Sequence, residues 1–514
     1  MPESRGPTEA SRAVAAWSPG VSGRTRPATR AGEPPGSPHV PPHTAIRRKP
    51  DDWRRTSVSK VLLVHAKGGP PLGHVLSRTA AKAEVHLLAL SALPPAVAGS
   101  AQRLCASVVT PADAHRSDLV SLIVARADAV GADAVLTFSE YAVVAVAEAC
   151  EVLGLAGAGS ASALARDKRL MRRTWQRHGL PQPEFRPVGT EADLHAAARS
   201  LPGPLLLKAA WSAGSTAHQI IHSPHEVPAA WARSCDVMAE SARLGYAELH
   251  VAEADADYVV EQIVTGTASD WFDEPGWGDY VSVEGVVANG AFHPVCLSGR
   301  MPTVEPFTER ASITPALLAR DAQDRIVDLA RRAVDALGLR DCGTHTEIKL
   351  GADGSMWLIE TAARFGGAMT VPQIEEVFGL DLVGMLVDHL LGHPVAWPER
   401  VLTPAQARGA AGSLVVLAVD GRGRAWPVRK VWDFRAVSAD ITLSRGSRLS
   451  VVEESSLADG TVVPVYDPAA GANTMAALCL LSAADARTVL RDFETLVDAL
   501  PRVLPAAQPE EVSA

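Results

Sequence analysis

Between Gly343 and Gly367 the chain carries two glutamates that a folded hairpin would set face to face. The run reads Gly343-Thr-His345-Thr-Glu347-Ile-Lys349-Leu350-Gly-Ala-Asp353-Gly354-Ser-Met-Trp357-Leu-Ile359-Glu360-Thr-Ala362-Ala-Arg364-Phe-Gly366-Gly367. Asp-Gly between alternating residues predicts a two-residue turn. In that register Ile348 faces Ile359 and Leu350 faces Trp357, which makes one apolar face. On the other face Glu347 meets Glu360, His345 meets Ala362 and Gly343 meets Arg364. Carboxylates directly opposed destabilise a sheet, and a cation between them removes the penalty. Mg²⁺ suits the place, because it takes oxygen ligands, keeps waters and is commonly shared with substrate phosphates. Arg364 is placed to stabilise charge developing on a reacting oxygen. An exposed hairpin with solvated glutamates is the competing reading; the apolar face and Gly366-Gly367 favour a packed one.

The rest of the chain narrows the class. Its 514 residues allow three or four domains. No run of 18 apolar residues exists, which excludes a membrane-spanning helix. No signal-peptide-like run opens the chain, and the six cysteines are scattered without a CxxC. Both features lead to the expectation of a reducing, cytoplasmic protein. A net charge of −9 argues against nucleic acid as a partner.

Residues 1–57 hold ten of the 37 prolines and ten Lys/Arg against five Asp/Glu. They show no period, and disorder is predicted. A transit peptide fits less well, and a true start near Val58 is a third reading. From Lys60-Val-Leu-Leu-Val-His65 onward, apolar runs (also 85–90 and 133–138) alternate with helical stretches (119–130, 141–153). That alternation predicts a parallel α/β sheet. A helix is expected over 163–184, ending at Gly179-Leu-Pro181. Strands are expected at 204–210 and 258–264. A hairpin through Ala288-Asn-Gly290 joins 280–287 to 292–299. A helix is expected over 321–337, and a mostly β region with a terminal helix over 401–514.

Several fragments, in order, resemble the ATP-grasp superfamily and, within it, the L-amino acid ligases. They are Thr137-Phe-Ser-Glu140, Leu153-Gly154-Leu-Ala-Gly157, Arg166-Asp-Lys168-Arg-Leu-Met171-Arg172, Gly179-Leu-Pro-Gln-Pro183 and the Glu347/Glu360/Arg364 hairpin. The resemblance implies an α/β (α+β) ATP-grasp fold. It divides the chain into a disordered tail (1–57), a Rossmann-like pre-ATP-grasp domain (58–160), a lid subdomain (161–265), a large subdomain with the metal site (266–400) and a C-terminal mostly-β subdomain (401–514).

The same resemblance implies roles. Lys168 and Lys208 bind ATP phosphates, under a mobile loop with Ser212, Gly214 and Ser215. Glu261, Gln262, Ile263 and Val264 form the adenine hinge. Asp279, displaced by an insert at 267–278, is the ribose acid. Glu347 and Glu360 bind Mg²⁺, with Mn²⁺ as a substitute, and Arg364 contacts the transferred phosphoryl group. Glu309 resembles a substrate-side acid. Imidazole is a poor Mg²⁺ ligand, so His345 is expected to serve substrate, and Gly366 and Gly367 are expected to leave room on the acceptor side. Where the superfamily commonly has a metal-binding Asn, this chain has Ala362. The implied activity is ATP-dependent ligation of a carboxylate to an amine through an acyl-phosphate, acting on small-molecule amino acids or peptides. The alternatives are a biotin-carboxylase-like carboxylase or a non-catalytic ATP-binding protein. The resemblance also admits a homodimer.

Overall fold

A computed structural model describes residues 58–111, 116–243 and 258–508. The tail 1–57 lies outside them. The first sheet is wholly parallel, with strands Lys60–His65, Glu84–Ala89, Cys105–Val109 and Ala134–Leu136 in spatial order third, second, first, fourth. The first strand is an uninterrupted apolar run because helices cover both faces; Val61 to Val64 are buried. Strand order reverses beside this strand, and the crevice at such a switch point is where open α/β sheets bind ligands. Cys105–Val109 was not expected. It is a half-exposed edge strand and lacks an apolar run.

A second sheet, all antiparallel, orders Phe185–Val188, Tyr258–Gln262, Leu205–Ala209 and Gln219–Ile221. The helix expected over 163–184 is two helices, Ser162–Arg166 and Lys168–Arg177. Asp167 separates them. It takes an extended conformation and its carboxylate accepts from the Arg169 and Leu170 amides, an N-cap that starts a new helix.

The third sheet has eight strands, all antiparallel. It runs Met356–Ala362, Cys342–Leu350, Tyr280–Ala288, Ala291–Arg300, Ala311–Thr314, Ala410–Val416, Ala477–Ala483, Arg448–Val451. One sheet therefore begins at the glutamate hairpin and ends in C-terminal strands. Asn289 and Gly290 both have positive φ, the turn that an Asn-Gly hairpin requires. Helices Arg320–Leu337 and Ala486–Val503 cover one face. The 267–278 insert is packed rather than loose. Trp271, Phe272 and Trp277 are buried, and the Trp271 indole donates to the Gly351 carbonyl at 2.8 Å.

Candidate active site

The second and third sheets enclose a cleft lined by Lys168, Lys208, Glu261, Glu347 and Glu360. Its floor is the glutamate hairpin, whose register differs in detail from the expectation. Asp353 and Gly354 do form the turn, both with positive φ. However, the Gly351 amide donates to the Ser355 carbonyl, so two residues face one beside the turn. As a result Leu350 pairs with Met356, not Trp357, and Ile348 pairs with Leu358, not Ile359. A second irregularity at Ile359 cancels the first. Glu347 then faces Glu360 and His345 faces Ala362 as expected. Pairing stops there, so Gly343 and Arg364 are not partners. The shift turns Trp357 toward the cleft, where it lines the wall with Lys349.

Opposite the hairpin stand the lysines. Lys168, first residue of its helix, donates to the Ser212 carbonyl at 2.7 Å and lies 3.4 Å from Glu360. Lys208, on the strand Leu205–Ala209, donates to Glu261 at 2.7 Å. Burial opposes ionisation of Glu360, but Lys168 above all, then Lys208, Arg364 and His345, bring its pKa down to about 2. Glu360 is thus anionic at neutral pH in a field set by cations.

Glu261 belongs to a buried junction that the sequence did not reveal. Arg172 donates to it through Nε at 2.6 Å and Nη2 at 3.2 Å. The same guanidinium donates to the Leu358 and Ile359 carbonyls, at 3.1 and 2.7 Å. Burial would raise the Glu261 pKa, yet Arg172 and Lys208 hold it below the carboxylate range. The hinge beyond it is partly committed. The Gln262 amide donates to the Glu184 carbonyl and the Ile263 amide to the Pro204 carbonyl. Gln262, Ile263 and Val264 line the cleft, as do Ser212, Gly214, Ser215 and Glu309.

Of the remaining expected residues, Asp279, His345, Arg364, Gly366 and Gly367 are not among those that line this cleft. Asp279 is paired with Lys349 at 2.7 Å. Glu309 accepts from Arg300 Nε at 2.9 Å and lies 3.4 Å from the Tyr280 hydroxyl. His345 is buried between Glu284 and Glu347. Burial would lower its pKa, but Glu284 and then Glu347 raise it to about 10. The Gly366 amide donates to Glu284 at 3.0 Å. A Cβ on Gly366 would stand 2.8 Å from His345 Nδ1, so this glycine serves close packing rather than open room. Beside Gly367 there is ordinary space, with the Gly69 backbone at 3.7 Å. Arg364 faces the first sheet and pairs with Glu140 at 2.5 Å; Arg166 approaches the same carboxylate at 3.5 Å.

Sequence reading missed Arg172, Lys349, Trp357 and His218 as site residues. Arg172 lies one turn after Lys168 on the same helix face, which was the available signal. His218 carries a buried Nδ1 with no hydrogen-bond partner, and burial, then Lys208 and Lys168, lower its pKa to about 3.

Among the described residues no group of three His, Cys, Asp or Glu side chains could hold a metal ion. Two facing carboxylates are the donor set that remains. It fits Mg²⁺, which is usually bound by one or two carboxylates plus waters and substrate phosphates.

Residues 201–372 match the ATP-grasp domain family. The crystal structure of an L-amino acid ligase from Bacillus licheniformis superposes with a TM-score of 0.66 at 18% identity, covering 87% of this chain and 98% of that one. The chain has an ATP-grasp fold. The biotin carboxylase domain of the Hydrogenobacter thermophilus 2-oxoglutarate carboxylase, solved with MgADP and bicarbonate, superposes with a TM-score of 0.57 at 16% identity, over 84% of this chain and 87% of that one. By sequence, the alanine–anticapsin ligase of Bacillus subtilis (strain 168) is 36% identical over 290 residues. That match covers 55% of this chain and 60% of the ligase.

Proposed function

We propose that the chain is an ATP-dependent carboxylate–amine ligase acting on amino acids. The observation that carries the reading is the Glu347–Glu360 pair on one wall with Lys168 and Lys208 on the other, 3.4 Å separating Lys168 from Glu360. A metal bridged by two carboxylates needs phosphate oxygens to complete it, and lysines close by supply the charge that those phosphates require.

In this reading adenine stacks within the hinge and contacts its carbonyls and the Val264 amide, since the Gln262 and Ile263 amides are spent. Lys208, aimed by Glu261, and Lys168, aimed by the Ser212 carbonyl, hold the phosphates. When bound, Mg²⁺ held by Glu347 and Glu360 neutralises charge on the transferring phosphoryl group. A substrate carboxylate oxygen bonds to the γ-phosphorus as the bond to ADP breaks, which leaves an acyl-phosphate. The amine then bonds to the acyl carbon, and phosphate and a proton depart. Arg364 stabilises the acyl-phosphate oxygens, after giving up its present pairing with Glu140. The loop 212–216 excludes water from that intermediate.

Amino acids are the proposed substrates because the relatives and neighbours named above include an alanine–anticapsin ligase and an L-amino acid ligase. A non-catalytic nucleotide binder is the second reading. It draws on Ala362, which supplies no metal-binding oxygen beside Glu360. Phosphate release from MgATP across a matrix of amino acids and simple carboxylates separates the two. The ligase requires one carboxylate and one amine together. Silence across the matrix, with MgADP still bound, supports the binder.

A further inference from the structure

The loop over the cleft has costly backbone. Ser215 (φ 59°) and Ala217 (φ 62°) occupy the left-handed region without being glycine. Such residues persist only where their surroundings enforce the conformation. Here the enforcing groups come from near the C-terminus. The Ala217 amide donates to the Ala469 carbonyl at 2.8 Å, and the Ala472 amide to the Gly214 carbonyl at 3.4 Å. Asn473 Nδ2 donates to the Thr216 hydroxyl at 3.1 Å, which in turn donates to the Ala213 carbonyl at 2.9 Å. Arg233, on the helix Val227–Arg243, pairs with Asp467. Gly471 approaches so closely that a Cβ there would lie 2.7 Å from the Gly214 carbonyl oxygen.

The same C-terminal segment reaches the opposite rim. The Tyr466 hydroxyl donates to the Glu305 carbonyl at 2.7 Å and lies 2.8 Å from the Thr308 hydroxyl. Ser215 Oγ donates directly to the Phe307 carbonyl at 3.1 Å. Three segments far apart in sequence, 212–217, 304–309 and 466–473, thus form one hydrogen-bonded ring at the mouth of the cleft.

We propose that Tyr466–Asn473 is a latch. It holds the loop 212–217 in its closed, strained form and couples it to the segment that presents Glu309. Releasing the latch lets Ser215 and Ala217 relax and the loop leave the cleft, so the C-terminal region gates entry and exit. Asn473, Gly471 and Tyr466 are then positioning residues. The gating role rests on the nucleotide reading above; the latch itself does not.

Hydrogen–deuterium exchange on the full chain, with MgADP as the probe, tests both parts. Asn473→Ala is expected to speed exchange of the 213–217 amides about fivefold, the change that follows loss of one neutral hydrogen bond. Gly471→Ala is expected to speed it further, because its Cβ meets backbone rather than a flexible side chain. Exchange in the strand Tyr280–Ala288 stays at the wild-type rate in both. MgADP slows exchange at 213–217 and 304–309 together in the wild type, and Tyr466→Phe weakens the effect at 304–309 alone, with the Ser215–Phe307 bond still in place. Wild-type rates at 213–217 in both Asn473→Ala and Gly471→Ala overturn the latch. Undiminished MgADP protection of 304–309 in Tyr466→Phe overturns the coupling. A wild type that MgADP does not protect at all sinks the nucleotide reading, while the ligand-free rates still decide the latch.

Discussion

Replacing Glu261 with alanine probes the junction on which the nucleotide side of the cleft is built. The carboxylate is only 2% exposed and neutralises both Arg172 and Lys208. Removing it leaves two buried cations without an anion, and breaking a buried pair in this way costs about 3–5 kcal/mol. At about 2–4 °C per kcal/mol, the apparent melting temperature falls by roughly 6–20 °C. Glu261→Gln keeps the shape and one acceptor oxygen, so its cost is smaller, about 1–3 kcal/mol. The pH dependence follows from the lowered pKa of Glu261 in the folded chain. A carboxylate held below its ordinary value of 4.5 contributes stability above that pH and loses it as pH falls further. The deficit of Glu261→Gln relative to wild type should therefore be full at pH 7 and shrink below about pH 4.5. Thermal unfolding followed by fluorescence, paired with MgADP calorimetry, measures both effects. Glu261→Ala is expected to weaken MgADP binding as well, since Lys208 loses the group that aims it. A Glu261→Ala variant that melts with the wild type and binds MgADP equally would refute the reasoning.

Other consequences are equally direct. Mg²⁺ added with ADP should raise the melting temperature of the wild type above that with ADP alone, and this extra shift should vanish in Glu347→Gln/Glu360→Gln; an undiminished shift places the metal elsewhere. Glu360→Gln or Arg364→Ala should abolish ADP formation while circular dichroism shows the fold intact, because Arg166 still faces Glu140; near-normal turnover in either defeats the assignment. Burial lowers the pKa of both His65 and His74 to about 4. Their contribution to stability is present above the ordinary histidine value of 6.5 and lost as pH falls from there toward 4, so melting temperature should drop across that window and drop less in His65→Gln. Gly343→Ala would put a Cβ 2.7 Å from the Phe365 ring, and overpacking of that kind costs about 1–3 kcal/mol, to be read from urea unfolding.

Much of this site is legible in the chain because its signals are local. Asp353-Gly354 and Asn289-Gly290 name their own turns, and opposed glutamates follow from hairpin arithmetic alone. The arithmetic held at Glu347 and Glu360 only because two one-residue irregularities cancel. Irregularities of this kind leave no period-two trace, which is why Trp357 was assigned to the apolar face. Long-range partners were illegible for a different reason. Arg172 and Glu261 are 89 residues apart, and nothing in either neighbourhood states that they meet. Likewise the mostly β reading of 401–514 did not disclose that Ala410–Val416 and Ala477–Ala483 extend the hairpin's own sheet. The break at Asp167 was within reach, since Asp before Lys-Arg-Leu-Met is an N-cap pattern, but continuous helical spacing on either side masked it.

Transfer of the γ-phosphoryl group to a carboxylate is the central claim, and isotopic oxygen tests it most directly. The protein is incubated with MgATP, an amine and a carboxylate substrate labelled at both carboxyl oxygens, and the released phosphate is analysed by mass spectrometry. The acyl-phosphate route predicts ADP, one labelled oxygen in each phosphate, and the other label retained in the amide. Unlabelled phosphate, meaning attack on ATP by water, or AMP in place of ADP, would contradict it.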